Sequence, residues 1–149
     1  MDVKRIQDGP ERIYAVRFSS GEDPMAGLQE LARRRELTAS SLSAIGAFER
    51  AVLGFFDYDR KEYERIPVEE QCEVVSLLGN IALTDGEPSL HIHAVLGVRG
   101  GRAVAGHLLE ATVRPTLEIM LTETPARLVR CKDSTTGLFL LSPERGNAS

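Results

Sequence analysis

Residues 12–19 alternate, with Tyr14, Val16 and Phe18 on one side and Ile13, Ala15, Arg17 and Ser19 on the other, the two-residue period of a half-buried strand. Asp23-Pro24 then joins an N-capping side chain to a proline at the first helical position. Met25, Leu28, Leu31 and Ala32 recur at helical spacing as far as Leu37, which predicts one amphipathic helix. From Ser40 onward the pattern changes to short apolar segments punctuated by glycine and aspartate. Residues 42–48, 51–58, 62–68, 73–83 and 90–98 read as strands. The polar centre of residues 55–63 predicts a hairpin, and Asp85-Gly86-Glu87-Pro88 predicts a second turn. Residues 116–122 alternate again, with Leu117, Ile119 and Leu121 opposite Glu118 and Met120, and residues 126–131 add a late strand. Strands that follow one another without intervening helices predict an antiparallel or mixed sheet.

Length and composition bound this picture. A chain of 149 residues with 42% hydrophobic and 27% charged residues is expected to form a single domain with a continuous core. Residues 1–11, with Asp8-Gly9-Pro10, and residues 143–149 read as loosely held ends around a core of about 13–141. The amino terminus has no apolar signal-like run, and residues 51–56, the longest apolar stretch, are too few to span a bilayer, so a cytoplasmic location without membrane contact is expected. Cys72 and Cys131 lack metal-site or redox spacing and are expected to be small apolar residues without chemistry.

A net charge of −4 has the wrong sign for a surface that must neutralise several phosphates. Arg33-Arg34-Arg35 is flanked by Glu30 and Glu36 on the predicted helix, which suits a solvated, ion-paired face better than a nucleic-acid patch.

The candidate chemistry lies in the histidines. The chain has three, His91 and His93 in Leu90-His91-Ile92-His93 and His107 in Gly106-His107-Leu108. Residues two apart on a strand share a face, so His91 and His93 lie side by side while Leu90, Ile92 and Ala94 face the core. The place of His107 depends on the intervening turn. A two-residue Gly100-Gly101 turn sends it to the opposite face, whereas a three-residue tip with Gly101 left-handed pairs Val98 with Arg102 and sets His107 opposite His93. On the residues alone both registers stand, and so do two readings of the imidazoles: ligands for zinc, or polar groups on an exposed sheet face.

Five motifs in order carry a family resemblance: Ser43-Ala44-Ile45-Gly46-Ala47, Leu53-Gly54-Phe55-Phe56-Asp57, residues 73–81 (Glu-Val-Val-Ser-Leu-Leu-Gly-Asn-Ile), Leu90-His91-Ile92-His93 and Gly106-His107-Leu108-Leu109-Glu110. Together they resemble the PPC domain of plants and prokaryotes, in its stand-alone prokaryotic form. The resemblance implies an α+β fold, a single domain with a largely antiparallel central sheet and one main helix, related to the acetolactate decarboxylase-like fold. It also implies a homotrimer and a zinc site at His91, His93 and His107, which requires the three-residue tip. In plant members the domain follows AT-hooks built on Arg-Gly-Arg-Pro; Arg99-Gly100-Gly101-Arg102 lacks the proline and reads as a hairpin tip. The plant partner-contact segment Gly-Arg-Phe-Glu-Ile-Leu falls on residues 70–75, where only Glu73 is identical.

Two functions follow from the resemblance. One is a regulatory or DNA-associated interaction module with a protein partner or weak DNA contact. The other is a small zinc-dependent enzyme of lyase or hydrolase type, for which Glu110, Glu118 and Arg114 are the candidates for a nearby acid or base because they lie near the histidine hairpin in sequence.

Overall fold

The computed structural model describes residues 1–145. Along the chain it forms β1 (Asp2–Gln7), β2 (Arg12–Ser19), α1 (Pro24–Arg35), β3 (Ala39–Asp57), β4 (Glu62–Val68), β5 (Cys72–Thr84), β6 (Glu87–Val98), β7 (Arg102–Glu123), β8 (Val129–Lys132) and β9 (Phe139–Leu141). Among the described residues all strands join one sheet, in which only β5 and β8 pair in parallel. This is the mostly antiparallel sheet that the pattern predicts, in the single-domain α+β architecture that the family resemblance implies.

Two long strands organise it. β3 pairs with β5 along its first half, with β4 along its second and with β7 over most of its length. β6 bridges β5 and the first part of β7, so β3, β5, β6 and β7 close into a ring of hydrogen-bonded strands. Inward-facing Phe48, Leu53, Leu77, Ile92, Leu96 and Leu117 fill it. Tyr14, Val16 and Phe18 of β2 extend the core toward Leu28, Leu31 and Ala32 of α1. The helix starts where Asp23 accepts hydrogen bonds from Met25 N at 2.8 Å and Ala26 N at 3.0 Å, and Glu36 ends it in the left-handed region.

The segments 42–48 and 51–58 are one strand rather than two. Glu49 and Arg50 sit at register shifts against β7, so the charged pair marks bulges, not a turn. Likewise 116–122 is only the second half of the 22-residue β7. Only Asp85 and Gly86 turn the chain between β5 and β6, because Glu87 and Pro88 already pair with Thr84 and Leu83. Residues 1–11, expected to be a loose end, contain β1, which pairs antiparallel with β2 and shifts register between Arg5 and Gln7; only Val3 of this edge strand is partly buried, so no alternation betrays it. Of residues 143–149, expected to be loose as well, Pro143–Arg145 forms a short 3-10 turn and the remainder lies outside the described residues.

Arg34 pairs with Glu30 at 3.5 Å and Arg33 with Glu87 at 3.7 Å, the solvated face expected of the arginine run. Cys72 is buried, Cys131 half-buried, and both are free thiols. No helix among the described residues is long and apolar enough to cross a membrane. Glu123 was not anticipated: its buried carboxylate accepts from Thr38 N at 2.8 Å, from Ala39 N and from Ser40 Oγ, tying the end of β7 to the start of β3.

Candidate metal centre

Strand alternation on β6 buries Ile92 and leaves His91 and His93 on the outer face. The β6–β7 connection has a three-residue tip, with Gly100 and Gly101 at φ of 83° and 76°, and Val98 pairs with Arg102. Side chains with a Cβ rarely adopt such angles. This register puts His107 directly opposite His93. On the other side of β7 the neighbour of His107 is Gly54, and the ring of Tyr63 stacks on the His107 imidazole with centroids 5.1 Å apart.

The three imidazoles converge. Their ring centroids form a nearly equilateral triangle with sides of 5.1, 5.3 and 5.4 Å. One nitrogen from each ring lies within 4.8 Å of the others, and His91 Nε2 is 3.1 Å from His93 Nε2. Zinc bound tetrahedrally at its usual nitrogen distance separates its ligand nitrogens by about 3.3 Å, so small side-chain rotations close the set. Burial, then the neighbouring His91 and His93, pulls the His107 pKa down to about 4. Burial, then His93 and Arg130, also lowers that of His91. Both rings are therefore neutral at pH 7, the form that binds metals. Among the described residues His107 Nδ1 is the one fully buried side-chain nitrogen or oxygen left without a hydrogen-bond partner. Leaving such a group unsatisfied costs about 1–3 kcal/mol. Donor chemistry, convergence and this orphaned atom all fit a cation.

A cavity of about 290 Å³ opens beside the cluster, lined by Tyr63, Ser89, Leu90, His91, His107, Arg130 and residues 138–140 among others. Arg130 of β8 is only 7% exposed. It donates to Ser89 O at 2.9 Å, Ser89 Oγ at 2.6 Å and Asn80 Oδ1, and Asn80 is the cross-strand neighbour of His91.

The three residues chosen for their sequence proximity are not among those lining this cavity. Glu110 pairs with Arg65 and faces a different cleft with Asp23 and Arg50. Arg114 pairs with exposed Glu49 at 3.8 Å. Glu118 stands opposite Arg17 and Ile45 on an exposed part of the sheet. At about 3.3 Å per residue, β7 carries each of them progressively farther along the strand from His107, so closeness in sequence did not become closeness in space. The residues that do flank the histidines, Tyr63 and Arg130, come from strands distant in sequence. No spacing signal marks them, and Arg130 was visible only as part of a late strand.

A ring-closed, mostly antiparallel sheet with a single helix, carrying three convergent histidines on the outer face of its β6–β7 hairpin, defines a small α+β domain with a metal-site geometry. The chain belongs to the Plants and Prokaryotes Conserved (PCC) domain family, whose model matches residues 5–125; this is the PPC domain of the motif resemblance. Among solved structures it is similar to the metal-containing protein of Archaeoglobus fulgidus, with 31% identity, a TM-score of 0.81 and coverage of 95% of this chain and 96% of that one. It is also similar to a plant- and prokaryote-conserved protein of Pyrococcus horikoshii, with 28% identity, TM-score 0.80 and coverage of 93% and 92%. A candidate DNA-binding protein of Bacteroides thetaiotaomicron matches with 26% identity, TM-score 0.86 and coverage of 96% and 99%. Among curated proteins, none matches this chain significantly.

Proposed function

We propose that this chain is a trimeric PPC-domain module that binds zinc through His91, His93 and His107 and serves as a regulatory interaction unit in the cytoplasm. The observation that carries the reading is the convergence of three imidazole nitrogens within 4.8 Å. The Archaeoglobus fulgidus neighbour, a metal-containing protein, supports it. Trimer formation is supported by an outer sheet face on which Ile45 is 63% and Leu78 60% exposed, with Val75 and Met120 exposed near them. Apolar clusters of this kind mark association surfaces. Free Cys72 and Cys131 suit a reducing compartment. The Bacteroides thetaiotaomicron neighbour supports a DNA-associated role, but a net charge of −4 makes any direct contact weak and salt-sensitive.

A second reading, a small zinc-dependent lyase or hydrolase, draws on the cavity of about 290 Å³ that shares His91 and His107. Zinc held by three imidazoles supplies Lewis-acid polarisation of an oxygen ligand. In this reading Tyr63 fixes the His107 ring and Arg130 places a positive charge in the same cavity.

Elemental analysis of purified protein tests the site. About one zinc per chain is expected, lost in His93→Ala while the circular dichroism of the sheet is retained. Unchanged metal content in the folded variant excludes His93 as a ligand.

A further inference from the structure

Among the described residues Arg130 is a buried cation without a counter-ion. The guanidinium carries five N–H donors. Its acceptors among the described residues are Ser89 O, Ser89 Oγ, Asn80 Oδ1 and, at 3.4 Å, Ala82 O, all neutral. None of these bonds uses Nε. None of the described residues lining the cavity beside Arg130 is acidic. A buried charge is stable when it is paired, and a site that unites an unpaired guanidinium with histidines suited to a cation has a strong deficit of negative charge. The rest of the lining includes the apolar side chains of Leu90, Phe139 and Leu140.

From this arrangement we infer that the cavity binds a small organic carboxylate, its carboxylate oxygens held by Arg130 and its hydrocarbon part against Leu90, Phe139 and Leu140. The planar fork of arginine suits a carboxylate, and the volume of about 290 Å³ admits a ligand of a few carbons. This names a ligand class for the cavity beside the histidines. It rests on the zinc reading in one respect only: the zinc-loaded protein binds the carboxylate more tightly than the metal-free protein.

The test titrates metal-free and zinc-loaded protein with butyrate and with its neutral counterpart butyramide, following backbone amide NMR shifts. Butyrate is expected to shift Ser89, Leu90 and Phe139 saturably in both forms, and butyramide to leave them unmoved. Arg130→Gln should weaken butyrate binding about tenfold or more, the loss expected for one charge-assisted contact. Leu140→Trp fills the cavity from its half-exposed wall without touching the Arg130 hydrogen bonds, and it should abolish binding even if Arg130→Gln does not fold. Equal binding of butyrate and butyramide, or undiminished butyrate binding in Leu140→Trp, overturns the proposal. Arg130-dependent butyrate binding by protein that takes up no zinc sustains it while removing the zinc reading. Zinc uptake without butyrate binding in either form does the reverse.

Discussion

In metal-free protein, mild acid destabilises the fold through His107. An unfolded histidine takes up its proton near pH 6.5, but in the fold His107 does so only near about 4. The groups around it are His91 and His93 from β6, Tyr63 from β4, and Arg130 from β8 on the same cavity, and none of them supplies a negative charge at these pH values. Between the two pKa values the unfolded chain binds more protons than the folded one. Stability is therefore complete above about pH 6.5 and falls as the pH drops toward 4. The full gap sets a ceiling of about 3 kcal/mol. Because the ring is only half-buried, solvent screening reduces the expected loss to about 1–2 kcal/mol. Urea unfolding in a chelating buffer from pH 7 to about pH 4.5 measures it, with His107→Gln as the reference. The variant should lose most of the slope and keep a residue from His91, whose pKa is lowered in the same direction. Glu22 and Asp133, with lowered carboxyl pKa values, lose their contributions only at more acidic pH and do so equally in both proteins. Identical slopes in wild type and His107→Gln would refute the reasoning.

Light scattering of the wild type should report three times the 16.4 kDa chain mass, and Ile45→Glu with Leu78→Glu should reduce it to one; a wild-type monomer at micromolar concentration excludes the trimer. Gly79→Ala should destabilise the protein by roughly 1–3 kcal/mol and displace the histidine strand, since a Cβ there would lie 2.6 Å from His91 O; thermal unfolding and zinc content both report it. Asp23→Ala should cost about 1 kcal/mol in urea unfolding by removing the cap of α1, with zinc content unchanged.

The alternations of β2 and of the second half of β7 were legible because each strand buries one face, so burial writes itself into every second residue. The helix was legible from Asp23-Pro24 and the spacing of Leu28, Leu31 and Ala32. Strand continuity was not, because a bulge and a turn use the same residues: Glu49-Arg50 interrupts the apolar pattern as a loop would, yet the strand runs on. The edge strands β1 and β9 bury little and so leave no periodic trace. For the site, the side-by-side placement of His91 and His93 followed from strand geometry alone. The position of His107 turned on one residue of loop length, which local residues left open and the three-residue tip resolves. Arg130 and Tyr63 reach the site on β8 and β4, which pair with the ring strands β5 and β3, an arrangement that no window of sequence contains.

That ring also relates the proposed assembly to the site. Met120 pairs with Ser43, Ser43 with Leu78, Leu78 with His93 and His93 with His107, so the exposed apolar face and the histidines share one row across four strands. Two hollows flank the cluster. One, of about 160 Å³, lies between His93 and the apolar residues Leu78 and Val95; the other, of about 290 Å³, lies between His107 and Arg130. In the proposed trimer a neighbouring copy covers the apolar row and with it the His93 side, excluding water there. The Arg130 side then remains as the route by which a ligand reaches the imidazoles, and its one buried charge selects an anion.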